Sequence, residues 1–213
     1  MKYLKMFGMA AIAAMALMAF AGAGSASAFT SAHCAKNGVV LPHCLLDAHS
    51  VESANFATTA GTITCTTTTG DATIEGTVTS IETTKIEYSG CTFLGFIGVK
   101  VEMGTCQYKF TFGAEDTGTV DITPSPCTIK FTAGTCTVSV NNQNGLSSVT
   151  YENMAGPPKD VTVIPNVTNI VYSTTSGCPN GAKTNEKGGK YTGGKITVTG
   201  TSPAGTLVDF TVA

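Results

Sequence analysis

From Asn55 onward the apolar residues alternate with polar ones and do not recur at helical spacing. Val99, Val101 and Met103 share one side of an extended chain, with Lys100 and Glu102 on the other. Cys106, Tyr108, Phe110 and Phe112 alternate in the same way with Gln107, Lys109 and Thr111. β-Branched Thr, Val and Ile with intervening Gly predict further strands near 61–68, 72–79, 84–88, 119–123, 128–132, 137–140, 149–152, 161–164, 168–173, 195–199 and 207–212. Turn residues separate them: Gly113, Gly118, Asn144-Gly145, Pro157-Pro158 and Gly188-Gly189. Many short strands of this kind predict an all-β fold, an antiparallel β-sandwich or barrel-like sandwich. Residues 29–53 alternate little and read as an N-terminal arm laid on the body, with a short helix near 45–51, and 54–213 as a single β domain.

The first 28 residues have a different character. Lys2 and Lys5 form a basic start, residues 6–20 an apolar stretch, and Ala26-Ser27-Ala28 a small-x-small cleavage pattern, so a signal peptide cut after Ala28 is expected. That assigns the protein to a secreted or extracellular location, with a periplasmic or envelope-associated one as the alternative. The apolar stretch falls short of the roughly 20 residues needed to span a bilayer, and no membrane insertion of the mature chain is expected.

Export changes the meaning of the eight cysteines. An even number in an oxidising compartment points to disulfides, although eight cysteines allow 105 complete pairings. A faint internal repeat narrows them. Thr84-Lys85-Ile86-Glu87-Tyr88-Ser89 before Cys91 resembles Thr168-Asn169-Ile170-Val171-Tyr172-Ser173 before Cys178, and Ala-Gly-Thr precedes both Cys65 and Cys136. Two pseudo-repeated halves would pair Cys65 with Cys91 and Cys136 with Cys178. A strand and its return bring Cys106 near Cys127, and Cys34 is left to Cys44. Each such loop is worth about 3 to 4 kcal/mol by loop-closure entropy.

Charge excludes some partners. The chain has 12 lysines, two of them in the leader, no arginine and no tryptophan, against 14 acidic residues, so the mature formal charge is −4. Arginine is the preferred bidentate reader of phosphate and guanine, and nucleic-acid binders carry a basic footprint, so no nucleic-acid partner is expected. Anionic membrane surfaces are disfavoured on the same ground.

The chemical candidates are few. His33-Cys34 and His43-Cys44, with His49 close by, are the best metal candidates, but oxidised cysteines lack the thiolates a zinc site needs and the spacing departs from C-x-x-C knuckles. No metal or other cofactor is expected. All three histidines lie in the arm and no G-x-S-x-G elbow is present, so no catalytic residue is assigned. Glu115, Asp116 and Asp121 form the most acidic cluster of the body and read as a solvated hairpin turn. The stretch from Gly189 to Lys195 has the spacing of a phosphate loop, but Ile196 replaces the Ser or Thr that would hold magnesium. Thr64, Thr66 and Thr68 read as a one-face row.

The run Ala60-Gly61-Thr62-Ile63-Thr64-Cys65, then Tyr88-Ser89-Gly90-Cys91, Met103-Gly104-Thr105-Cys106, Cys127, Gly134-Thr135-Cys136 and Tyr191-Thr192-Gly193-Gly194 resembles a group of uncharacterised secreted, disulfide-containing, β-rich proteins of high-GC Gram-positive bacteria. The resemblance spans nearly all of the body and implies an extracytoplasmic β protein; it carries no activity or site. The expectation is a non-enzymatic secreted or envelope-associated structural or binding protein, with an envelope or extracellular protein or glycan as its partner. The alternatives are a secreted hydrolase with a loop-built site, or metal binding through the arm.

Overall fold

The computed structural model describes residues 30–114 and 116–213; the leader and its cleavage site lie outside the described residues. All regular structure among them is β. Eighteen strands follow in order: β1 (Ala32–Lys36), β2 (Val39–Val40), β3 (His43–Ser50), β4 (Ala54–Thr58), β5 (Gly61–Glu75), β6 (Thr77–Val78), β7 (Ser80–Phe93), β8 (Ile97–Gly98) and β9 (Lys100–Glu102). The second half supplies β10 (Gln107–Phe112), β11 (Thr117–Thr123), β12 (Thr128–Ala133), β13 (Cys136–Asn141), β14 (Gln143–Asn153), β15 (Val161–Thr174), β16 (Lys183–Gly193), β17 (Ile196–Thr201) and β18 (Leu207–Val212).

Eight of these strands close an antiparallel barrel: β3, β5, β7, β10, β11, β14, β15, β17 and back to β3. Closure removes the free edges that an open sheet would expose. Three strands of the wall outrun this circuit, with 15 residues in β5 and 14 each in β7 and β15. Their far ends pair with other strands. β5 meets β4 through Gly61–Cys65 and β3 through Thr69–Glu75, and β7 meets β10 near Glu82 and β8 near Phe93. A second circuit thus runs β4, β5, β7, β8–β9, β12, β13, β15, β16 and back to β4. Val99, between β8 and β9, donates its N–H to the Cys91 carbonyl at 2.9 Å and keeps that wall joined. The ribbon of β1 and β18 closes against the first circuit, where the Asn153 side chain bonds the Val212 N–H and carbonyl at 2.9 and 2.7 Å.

The alternation seen in the sequence is what fills the interior. Val120 and Ile122, Val138 and Val140, Val161 and Val163 all point inward and are buried. Outside stand the charges, with Lys85 paired to Glu87 at 2.9 Å on β7 and Lys100 beside Glu102 on β9. A polar outside around an apolar inside is the reverse of an outer-membrane barrel.

Four disulfides tie the wall: Cys34–Cys44, Cys65–Cys91, Cys106–Cys127 and Cys136–Cys178, the second and fourth being the pairs that the pseudo-repeat names. Cys65 and Cys91 sit directly opposite each other on β5 and β7. Cys106–Cys127 joins the approaches to β10 and β12, where the chain passes between the two circuits.

Several expectations are corrected. There is no helix near 45–51: β3 is a full wall strand, with Cys44 and Leu46 buried between exposed neighbours. Apolar Leu45 and Val51 suggested helical spacing, yet Leu45 is outward and exposed. The segment read as an arm therefore contributes to the barrel itself. The strand expected at 61–68 and the first part of that at 72–79 merge into β5, the latter breaking at Gly76 before β6, and those at 161–164 and 168–173 merge into β15. Pro165 does not break β15: it stands opposite Val149 at the end of the β14 pairing, and on the other side it falls between the stretch paired with β17, which ends at Val163, and that paired with β16, which begins at Asn166. Asn144-Gly145 lies within β14, at an irregular register, and Gly188-Gly189 within β16.

Candidate functional site

Alternation inside a closed barrel leaves a question of volume, and here the side chains do not fill the space. A cavity of about 160 Å³ lies in the interior, walled chiefly by strands of the first circuit, with Leu46, Ala72, Ile81, Val149 and Val163 among its lining. Phe56 and Phe131 of the second circuit also line it, their ring centroids 5.6 Å apart. That volume is close to the roughly 150 Å³ of an apolar protein cavity that stays dry and binds benzene.

The wall is mostly apolar, and its main cluster of hydroxyls lies where Tyr88 of β7, Tyr108 of β10 and Tyr191 of β16 converge. Tyr88 Oη and Tyr108 Oη are 3.0 Å apart and share one hydrogen bond. Each ring is only half-buried by accessible surface, yet protein atoms surround all three. That combination belongs to groups whose free surface looks into an internal space. Burial pushes all three phenols above their ordinary range, and the nearness of Tyr108 and Tyr191 pushes Tyr88 further. Tyr151, against Phe112 at the far side, is raised by burial alone.

Thr68 completes the region. Its register partner across β5 and β7 is Tyr88, and its buried Oγ1 makes no well-formed hydrogen bond, though it lies close enough to Tyr191 to offset part of that phenol's upward shift. The one-face threonine row is thereby corrected. Cys65 and Thr68, three positions apart, are both buried, whereas Thr66 and Thr67 between them are exposed. The strand switches faces where β5 passes from β4 to β3, which leaves Thr64 bonded outside to Asn55 at 2.7 Å and turns Thr68 inward.

No protein-family model, curated protein or solved structure matches this chain.

The other candidates do not assemble. His43 and His49 stand six residues apart on β3, about 20 Å at the rise of a strand. They pair with Glu75 at 3.5 Å and Asp47 at 2.8 Å respectively. His33 lies on β1 beside Thr211. No cluster of three metal-ligating side chains occurs among the described residues, and Cys34 and Cys44 are bonded to each other. Glu115 lies outside the described residues. Asp116 occupies the turn closed by Gly113 N–H donating to Thr117 O at 2.8 Å, and Asp121 accepts the Gly145 N–H at 2.6 Å, which anchors the irregularity in β14. From Gly189 to Lys195 the chain leaves β16 and turns into β17, with Gly193 and Gly194 at positive φ and no helix following. The sequence showed Tyr108 in phase with Phe110 and Phe112, but Tyr88 and Tyr191 come from distant strands and only the register brings them to it.

Among the described residues lining the cavity there is no histidine and no cysteine, and the one carboxylate, Asp71, is solvent-exposed. The interior can therefore enclose and hydrogen-bond a molecule, but it presents no base beside a nucleophile.

Proposed function

We propose that this is a non-enzymatic exported binding protein whose barrel encloses one small apolar molecule. The observation that carries the reading is the largely apolar interior cavity whose buried polar groups are neutral hydroxyls. A structural protein would fill such a space, since voids cost stability at about 24 cal/mol per Å³. Keeping it open is what a ligand site requires. The four disulfides fit an oxidising, non-cytoplasmic compartment, and among the described residues no helix is long and apolar enough to cross a membrane. The leader in the sequence extends this to secretion or attachment at the envelope.

Calorimetric titration of the oxidised protein with toluene tests the reading. One saturable site is expected, with stabilisation approaching about 2.7 kcal/mol when free ligand exceeds Kd a hundredfold. Absence of binding, or turnover in a broad panel of ester, amide and glycoside substrates, would overturn it in favour of a packed structural module or a hydrolase.

A further inference from the structure

Resting on that reading, we infer that the cavity selects an uncharged, single-ring molecule bearing one hydroxyl or carbonyl oxygen, which docks against Tyr88, Tyr108, Tyr191 and Thr68.

The size follows from the volume. About 160 Å³ suits one six-membered ring and a small substituent, and excludes fatty acids, sterols and oligosaccharides. The single oxygen follows from hydrogen-bond accounting. Three phenols and the Thr68 hydroxyl carry four O–H donors. The Tyr88–Tyr108 contact engages one, and Tyr191 lies near enough to both Tyr88 and Thr68 to engage two more, although Thr68 Oγ1 makes no well-formed hydrogen bond of its own, which leaves one donor for a ligand. A buried hydroxyl without a well-formed hydrogen bond is costly; Tyr151 presents one alone, whereas at Tyr88, Tyr108, Tyr191 and Thr68 several hydroxyls converge on one part of the wall, which makes that part the place for a ligand oxygen. The acceptor has to be uncharged because nothing there balances a charge: the lining has no lysine, and burial keeps the phenols protonated. The geometry of the shared wall supports the same placement. The hydroxyl cluster forms at the junction of the two circuits, where β5 turns Thr68 inward and β16 brings Tyr191 across from the second circuit.

The test is a matched series of one-ring probes titrated into the oxidised full-length mature protein: toluene, p-cresol, acetophenone, benzoate and benzylamine. p-Cresol and acetophenone are expected to bind about tenfold or more tightly than toluene, the increment of one added hydrogen bond. Benzoate and benzylamine are expected not to bind. In Tyr108→Phe the advantage of acetophenone over toluene should shrink, with toluene affinity retained. Thr68→Val, a near-isosteric change that removes the buried hydroxyl, should shrink it independently if the tyrosine variant does not fold. Equal affinity for toluene and acetophenone in the unaltered protein would overturn the polar docking while leaving the apolar site standing. Failure of every probe, toluene included, would overturn both.

Discussion

The two circuits share three strands yet are held together differently. In the second, Phe56, Phe131 and Tyr172 stack through ring contacts at 5.6 and 6.1 Å, and Cys65–Cys91 and Cys136–Cys178 close loops of 26 and 42 residues. Tyr172 even reaches out of its strand to bond Thr59 N–H and Oγ1 at 2.8 and 2.9 Å. The first circuit carries the ten-residue Cys34–Cys44 loop at its end, shares Cys106–Cys127 with the second and has its own ring pair, Phe112 and Tyr151 at 5.0 Å, but it supplies most of the cavity wall. The longer cross-linked loops thus lie in the half that supplies fewer cavity-lining side chains, and the other half keeps the unfilled space without losing the fold.

Removing bridges should expose this asymmetry most strongly. Cys136→Ala with Cys178→Ala should cost about 4 kcal/mol, and Cys34→Ala with Cys44→Ala about 2.7 kcal/mol, because loop-closure entropy grows with the residues enclosed. Denaturant unfolding of the two double variants measures the difference, and equal losses would remove the distinction between the halves.

Alkaline pH should act next, and through the cavity. Tyr88, Tyr108, Tyr151 and Tyr191 have folded pKa values above the ordinary phenol value. Once the pH passes about 10 the unfolded chain gives up phenol protons that the folded chain keeps, so stability is full below that pH and falls as pH rises. The fall should reach up to about 1.4 kcal/mol per pH unit for each tyrosine. Chemical denaturation between pH 8 and about 11.5 reads the slope, and Tyr88→Phe combined with Tyr108→Phe should flatten it. A flat profile in the unaltered protein would show phenols open to bulk water.

Smaller changes contrast the packing directly. A Cβ on Gly189 would meet the Ile170 carbonyl oxygen at 2.8 Å and the rings of Tyr172 and Phe56 at 3.0 and 3.1 Å. Gly189→Ala should therefore cost about 1 to 3 kcal/mol. Ala72, buried on the cavity wall, has open space before it, so Ala72→Val should be neutral or stabilising by up to about 1 kcal/mol while weakening toluene binding. Thermal unfolding of the pair decides whether the two regions differ in free volume. Least of all should follow from His43→Ala and His49→Ala. Both histidines are exposed and their carboxylate contacts lie at the surface, so each should stay within about 0.5 kcal/mol, with no zinc-dependent shift in Tm.

The all-β class was legible because alternation such as Val99-Lys100-Val101-Glu102-Met103 has no helical counterpart, and two of the bridges because the repeated Ala-Gly-Thr before Cys65 and Cys136 marked equivalent places. Closure was not. It depends on which strand meets which, and a residue such as Pro165 looks like a break until its two neighbours are known. The cavity was hidden for a related reason. Tyr88, Tyr108 and Tyr191 each read as an ordinary strand aromatic, and Thr68 as an outward threonine, since the face switch between Cys65 and Thr68 breaks the two-residue period used to place it. Space left by side chains has no sequence signature of its own.

The most direct test is methyl-selective NMR of the oxidised protein during titration with toluene. Leu46, Ile81, Leu146 and Val149, which line the cavity, should shift in a saturable way, whereas Ile63 and Val138, buried in the second circuit away from it, should stay in place. Shifts confined to exposed methyls such as those of Val39 and Leu207, or no shifts at all, would contradict a ligand-holding interior.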